Sequence, residues 1–342
     1  MTSALADAIR LLTSGSSLSA AQTADAFGII MRGEATPAQT AGLLIGLRVK
    51  GETGDEIAGA AQALRHAMVS IHPEAGPPLV DTCGTGGGAV ATFNISTAAG
   101  FVTAGAGLRV AKHGNRSFTS KCGSADVLEA LGVDITIPPE RAALILDRVG
   151  MVFLFAPTYH PAMRHVGPTR ADLAVPTIMN LLGPLANPAG VKRQVIGVAD
   201  RSRAPLMADA LARLGVEHVL VVHAEVGMDE ISPTGRTQMW EVREGAVTTW
   251  ALDPARYGLA AERLDELRGG DPPANAGRIE RLLAGQAGPE ERAVVVLNAA
   301  AAIYVSGLEP TFARASERAR AALESGAARK VLDGLRQAAP RG

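Results

Sequence analysis

The chain has 342 residues, 47% of them hydrophobic and 20% charged, which fits a folded protein of about two domains and excludes a disordered chain or a coiled coil. Its 33 Lys and Arg against 34 Asp and Glu leave a net charge of −1, so no charge excess marks it as a nucleic-acid binder. Two cysteines, Cys83 and Cys122, without a CxxC or Cys/His cluster, exclude a disulfide scaffold and a zinc centre.

The first seventy residues read as helices with clear start signals. Ser19 with Gln22, Thr36 with Gln39 and Thr53 with Glu56 each have capping-box spacing, and Pro37 stands where a helix tolerates a missing N–H. Gly33 and Gly51 fall where the preceding helices should stop. Leu43, Leu44, Leu47 and Ile57, Ala61, Leu64, Met68 follow helical spacing. The apolar surface of this unit suits a core, a dimer face, or both. Residues 72–78 hold three prolines and a glycine and read as a hinge.

Beyond the hinge, strands are expected at 79–82, 108–112, 151–155, 194–198 and 218–223, and helices at 95–104, 124–131, 139–149 and 204–214. This alternation predicts an α/β fold with a mainly parallel central sheet. Residues 239–242 and 247–250 resemble a hairpin, and the chain from 274 onward reads as helices. The run 293–305 is too short to span a membrane and reads as a buried helix. No signal peptide is evident at the N-terminus, so a cytoplasmic protein without membrane contact is expected.

Four segments carry chemistry. The first strand runs into Gly84, Gly86, Gly87 and Gly88 and then into a helix opening near Asn94. Glycines let backbone approach a ligand, and a helix N-terminus with Ser96 and Thr97 suits phosphate. Its spacing fits neither a Walker loop nor a dinucleotide fingerprint. A second strand delivers Lys112, His113, Gly114, Asn115, Arg116 and Ser117, followed by Phe118, Thr119, Ser120 and Lys121, at the end of the sheet where α/β proteins bind ligands. Ser124 either caps the next helix or donates to phosphate. Third, Asp229 and Glu230 after a strand suit Mg2+, which prefers oxygen ligands shared with substrate phosphates. Finally, Arg170, in the segment that begins with Tyr159 and His160, offers a bidentate site for a carboxylate.

Together these segments closely resemble anthranilate phosphoribosyltransferase. The resemblance rests on Gly-Thr-Gly-Gly from Gly84, Phe-Asn-Ile-Ser-Thr from Phe93, Lys-His-Gly-Asn-Arg-Ser from Lys112 and Gly-Ser-Ala-Asp-Val-Leu-Glu from Gly123. It extends to Phe155–Met163, Met179–Pro188 and Met228–Ser232. It implies transfer of the phosphoribosyl group of 5-phosphoribosyl 1-pyrophosphate to the amino group of anthranilate, with release of pyrophosphate, in tryptophan biosynthesis. It further implies a small N-terminal helical domain, residues 1–72 with about 169–191, that pairs two chains into a homodimer. A large α/β domain, 73–168 and 192–342, would hold the active site at the hinge.

Carried over residue by residue, the resemblance places phosphoribosyl pyrophosphate at Gly84, Gly87, Gly88, Thr92, Asn94, Ile95, Ser96, Thr97, Lys112 through Ser120, and Ser124. Anthranilate contacts are implied at Gly84, His113, Asn115, His160 and Arg170, and Mg2+ ligands at Ser96, Asp229 and Glu230. Asn115, Arg170 and Lys112 are the expected positioning groups. An aniline nitrogen has a usable lone pair when neutral, so no strong general base is required and positioning dominates. One departure stands out: the family usually has Asp where this chain has Gly88, followed by Ala89 rather than Gly. Altered magnesium binding is the expected consequence. The alternatives are a pyrimidine nucleoside phosphorylase and a non-enzymatic nucleic-acid-binding relative. The segments at 113–116 and 180–187 disfavour the first; charge balance and scarce aromatics, at 4%, disfavour the second.

Overall fold

The computed structural model describes residues 3–117 and 121–341. The chain begins with four helices, α1 (Ala4–Thr13), α2 (Ala20–Met31), α3 (Pro37–Lys50) and α4 (Gly54–Ala67). All three expected capping boxes are formed, at Ser19, Thr36 and Thr53, each satisfying helix N–H groups that would otherwise lack partners. Gly51 ends α3 with φ 88°, a conformation that suits glycine.

After the hinge come β1 (Leu79–Gly84), α5 (Ile95–Gly105), β2 (Arg109–Gly114), α6 (Ser124–Ala130), α7 (Pro139–Val149) and β3 (Met151–Phe155). Short helices follow, α8 (Ala156–Tyr159), α9 (Gly167–Leu173) and α10 (Met179–Leu182), then β4 (Arg193–Gly197), α11 (Ala204–Arg213) and β5 (His218–Ala224). The expected hairpin is β6 (Thr237–Arg243) and β7 (Ala246–Leu252), and the chain closes with α12 (Pro272–Leu283), α13 (Pro289–Ser306), α14 (Phe312–Glu324) and α15 (Ala327–Ala338). Several strands run one or two residues past the predicted ends because parallel pairing continues there, as in the Gly84–Gly197 register.

Ser124 does not cap α6. Gly123 is the N-cap, and the Asp126 carboxylate accepts its N–H at 2.8 Å. Ser124 is already the first helical residue, one past the cap position, and its Oγ donates to the Asn115 carbonyl at 3.3 Å.

The seven strands form one sheet in the order β3-β2-β1-β4-β5-β6-β7, parallel from β3 to β5 with an antiparallel hairpin at the edge. Successive side chains of a strand face opposite ways. Leu220 and Val222 therefore join the core built with α5 and α13, whereas Val219 and Val221 join a second core with α4 and α11. That second core also takes Leu43, Leu47 and Leu64 of the N-terminal helices and Val166, Leu182 and Leu185 of the 162–186 segment. The helical start thus packs on one face of the sheet. Among the described residues, no helix is long and apolar enough to cross a membrane.

Candidate active site

In an open parallel sheet, ligands bind outside the carboxyl ends of the strands where the strand order reverses. Here the chain leaves β1 for β2 on one side, while β4 lies on the other. Gly84 and Gly197, the last residues of β1 and β4, are register partners at that point. Beyond Gly84 the loop turns through Gly86 at φ 69° and Gly87 at φ 81°, a left-handed region that side chains disfavour.

The acidic pair closes on this loop. An ideal Cβ at Gly197 would lie 1.7 Å from the Asp229 carbonyl oxygen; at Gly88, 2.6 Å from Asp229 Oδ1; and at Gly84, 3.5 Å from Asp229 Oδ2. The missing side chains at Gly88 and Gly197 are what admit Asp229. Glu230 Oε1 accepts the backbone N–H of Ser96 at 3.2 Å, so a protein carboxylate holds one of the α5 donors that sequence reasoning offered to phosphate. Burial raises the pKa of Asp229. Burial and then the neighbouring Asp229 push Glu230 up to about 8.

Lys112 lies beneath the loop, 1% exposed, and donates to the Thr82 carbonyl and to Ser96 Oγ at 3.1 Å. Burial lowers its pKa, against the pull of Asp81 and Glu230. Asp81 is itself fully buried and accepts from Asn187 Nδ2 at 2.9 Å, Gln194 Nε2 at 3.3 Å and the His113 N–H at 3.3 Å. The next strand position, His113, meets His160 with Nε2 atoms 3.2 Å apart. Burial and then proximity to His160 hold His113 down to about 3, and burial holds His160 down to about 4.

Other predicted site residues divide by environment. Thr92 forms an isolated bridge with Arg268. Asn94 is the N-cap of α5 but makes no side-chain cap bond. Ile95 and Thr97 are enclosed, and the Thr97 hydroxyl has no hydrogen-bond partner among the described residues. Gly114 packs against Ser124, where an added Cβ would lie 2.2 Å from Oγ. Asn115 Oδ1 accepts the Arg116 N–H at 2.8 Å, and the Ser117 N–H goes to Asp126. The Arg116 guanidinium is engaged by Asp126 and Glu129 rather than presented to the loop. Phe118, Thr119 and Ser120 lie outside the described residues. Arg170, on α9 beside α3, is half-buried with its pKa lowered by burial, and its guanidinium has no partner among the described residues.

The sequence reading missed Gly197, the Asn187–Gln194 support of Asp81, and Asn275, whose amide donates to Asn94 Oδ1 at 3.0 Å. A glycine interrupting the apolar run from Val195 to Ala199 is the one local signal for Gly197.

The donor set suits a hard cation. Two carboxylates and the Ser96 hydroxyl offer oxygen ligands, and burial raises the pKa of both carboxylates by disfavouring their charged forms, a cost that a cation bound between them would offset. Among the described residues, no group of three or more His, Cys, Asp or Glu side chains is placed to hold a metal ion.

Two family models match: "Glycosyl transferase family, helical bundle domain" over residues 6–68 and "Glycosyl transferase family, a/b domain" over 76–329. The chain is 50% identical over 319 residues to the anthranilate phosphoribosyltransferase of Solibacter usitatus, covering 93% of this chain and 94% of that one. It is 49% identical over 316 residues to anthranilate phosphoribosyltransferase 2 of Streptomyces coelicolor, covering 92% and 94%. The crystal structure of the Thermus thermophilus anthranilate phosphoribosyltransferase superposes with TM-score 0.90 at 42% identity, over 96% of this chain and 99% of that one. The Saccharomyces cerevisiae enzyme in complex with PRPP and Mg superposes with TM-score 0.89 at 27% identity, over 98% and 97%.

Proposed function

Because this chain belongs to the anthranilate phosphoribosyltransferase family, we propose that it transfers the phosphoribosyl group of phosphoribosyl pyrophosphate to the amino group of anthranilate in tryptophan biosynthesis. The observation that carries the reading is the acidic pair seated on the glycine loop at the sheet's switch point, with Glu230 bonded to Ser96 and Lys112 beneath. The glycine-loop amides and the opening of α5 bind the pyrophosphate end. As the C1–O bond to pyrophosphate breaks, C1 gains oxocarbenium character. The amino nitrogen of anthranilate then bonds to C1 and sheds a proton. Positive charge at Lys112 favours the anionic substrate and restrains Ser96. Arg170 clamps the anthranilate carboxylate, which its unpartnered, half-buried guanidinium supports.

Ser96, Asp229 and Glu230 would hold Mg2+. The chemistry a bound Mg2+ supplies is neutralisation of charge on the pyrophosphate oxygens. Neutral His113 and His160 line the acceptor side, consistent with a reaction that needs no strong base. The same reading takes residues 1–72 with about 169–191 as a helical domain through which two chains pair in the cytoplasm, and the rest as the α/β domain. The test is loss of anthranilate fluorescence with phosphoribosyl pyrophosphate and Mg2+. Consumption that requires all three supports the reading. Turnover of thymidine with phosphate instead would replace it with a nucleoside phosphorylase.

A further inference from the structure

The structure assigns to Asn275 the role of a positioning residue that ties the two substrate loops together. This inference rests on the proposed phosphoribosyl pyrophosphate site. Asn275 lies in the first turn of α12, 1% exposed. Its Oδ1 accepts the Gly270 N–H at 2.8 Å, and its Nδ2 donates to Asn94 Oδ1 at 3.0 Å. Asn94 Nδ2 in turn donates to the Cys122 carbonyl at 3.2 Å. A backbone N–H fixes one end of this relay and a backbone carbonyl fixes the other, so both amides have only one orientation that satisfies the chain. The relay joins α12 to the opening of α5 and onward to the loop that enters α6. Those are the two loops proposed to hold phosphoribosyl pyrophosphate, and the junction is buried, where an unmet amide is costly.

The surrounding contacts converge on the same strip of chain. The Phe93 N–H donates to the Leu267 carbonyl at 3.0 Å, and the Gly269 N–H to the Ala91 carbonyl at 3.1 Å. A Cβ at Gly269 would lie 2.4 Å from the Thr92 carbonyl oxygen, so the two backbones meet directly. One turn along α12 from Asn275, Arg278 stacks over the Phe93 ring at 4.7 Å and bonds the carbonyls of Glu266 and Arg268. The segment 266–278 therefore braces residues 91–94, and Asn275 is its polar contact with the N-cap.

Two variants test the link, Asn275→Ala and Asn275→Asp. The second keeps the Gly270 acceptor but presents an oxygen to Asn94, which reverses the relay. Both should raise the KM for phosphoribosyl pyrophosphate about tenfold or more while the anthranilate KM stays within about twofold. In an Asn94→Ala background, Asn275→Ala should add no further increase. Amide exchange at 92–97 should quicken in both variants without ligand, with exchange in α13 unchanged. Unchanged exchange at 92–97, equal rises in both KM values, or full additivity with Asn94→Ala would overturn the proposal. If the unaltered chain failed to use phosphoribosyl pyrophosphate, the functional reading would fall and the exchange data alone would decide the relay.

Discussion

Gly88 stands so close to Asp229 that a Cβ placed on it would lie 2.6 Å from Asp229 Oδ1. Gly86 and Gly87 need glycine for their positive φ angles, but Gly88 does not, so its glycine is explained by space rather than by backbone. The resemblance read from the sequence implies Asp at this position. Gly88→Asp should displace the Asp229 side chain and set a second carboxylate beside it. Like charges at one site repel until a cation joins them. The variant should therefore lose thermal stability without metal, regain more of it on adding Mg2+, and reach half-maximal rate at lower Mg2+. Melting curves with and without Mg2+, together with rate against Mg2+, measure this. An unchanged magnesium profile would sink the idea.

Arg170→Ala should raise the anthranilate KM about 10- to 100-fold, the worth of one or two charge-assisted hydrogen bonds, and leave the phosphoribosyl pyrophosphate KM nearly unchanged. Its guanidinium has no internal partner to lose among the described residues, so the melting temperature should hold. Equal effects on the two substrates would refute the clamp.

Asp229→Asn with Glu230→Gln should reduce turnover by about 100-fold or more, since metal-dependent stabilisation of a leaving group is worth several kcal/mol. Stability should be kept or raised. The Gln amide oxygen can still accept from Ser96, and two adjacent ionisable groups whose charged forms burial disfavours are removed. Unimpaired turnover in the folded double variant would remove the metal assignment.

His113 and His160 predict a pH dependence of stability. Their folded pKa values, about 3 and about 4, lie below the unfolded value of 6.5, so the unfolded chain binds more protons as pH falls. Their contribution is complete above pH 6.5 and declines as pH falls toward 4, by an amount on the order of a few kcal/mol. Urea midpoints between pH 7 and 4.5 should fall less steeply in His113→Asn with His160→Gln than in the parent chain. Parallel profiles would show that the pair does not titrate on unfolding.

Much of the fold was legible because its signals are local. A cap bond spans three residues, as from Gln22 to Ser19, and the alternation that sends Val219 and Leu220 to opposite faces is written in adjacent positions. The glycine loop was legible for the same reason. Ser124 misled because a hydroxyl at a helix start looks like a cap, whereas the helix begins one residue earlier than that reading needs, with Gly123 as its N-cap.

By itself, the sequence determined the order of helices and strands, the loop that turns at Gly86 and Gly87, and, by resemblance, the residues to watch. Only the tertiary structure decided which of them meet. Ser96 and Glu230 are 134 residues apart, and Asn94 and Asn275 are 181 apart. Spacing carries no information at such separations. Ser96 and Glu230 meet because parallel strands bring their carboxyl ends to one edge of the sheet, and because Gly88 and Gly197 lack the side chains that would keep Asp229 away; Asn94 and Asn275 meet because the backbone at Leu267 and Gly269 bonds to Phe93 and Ala91.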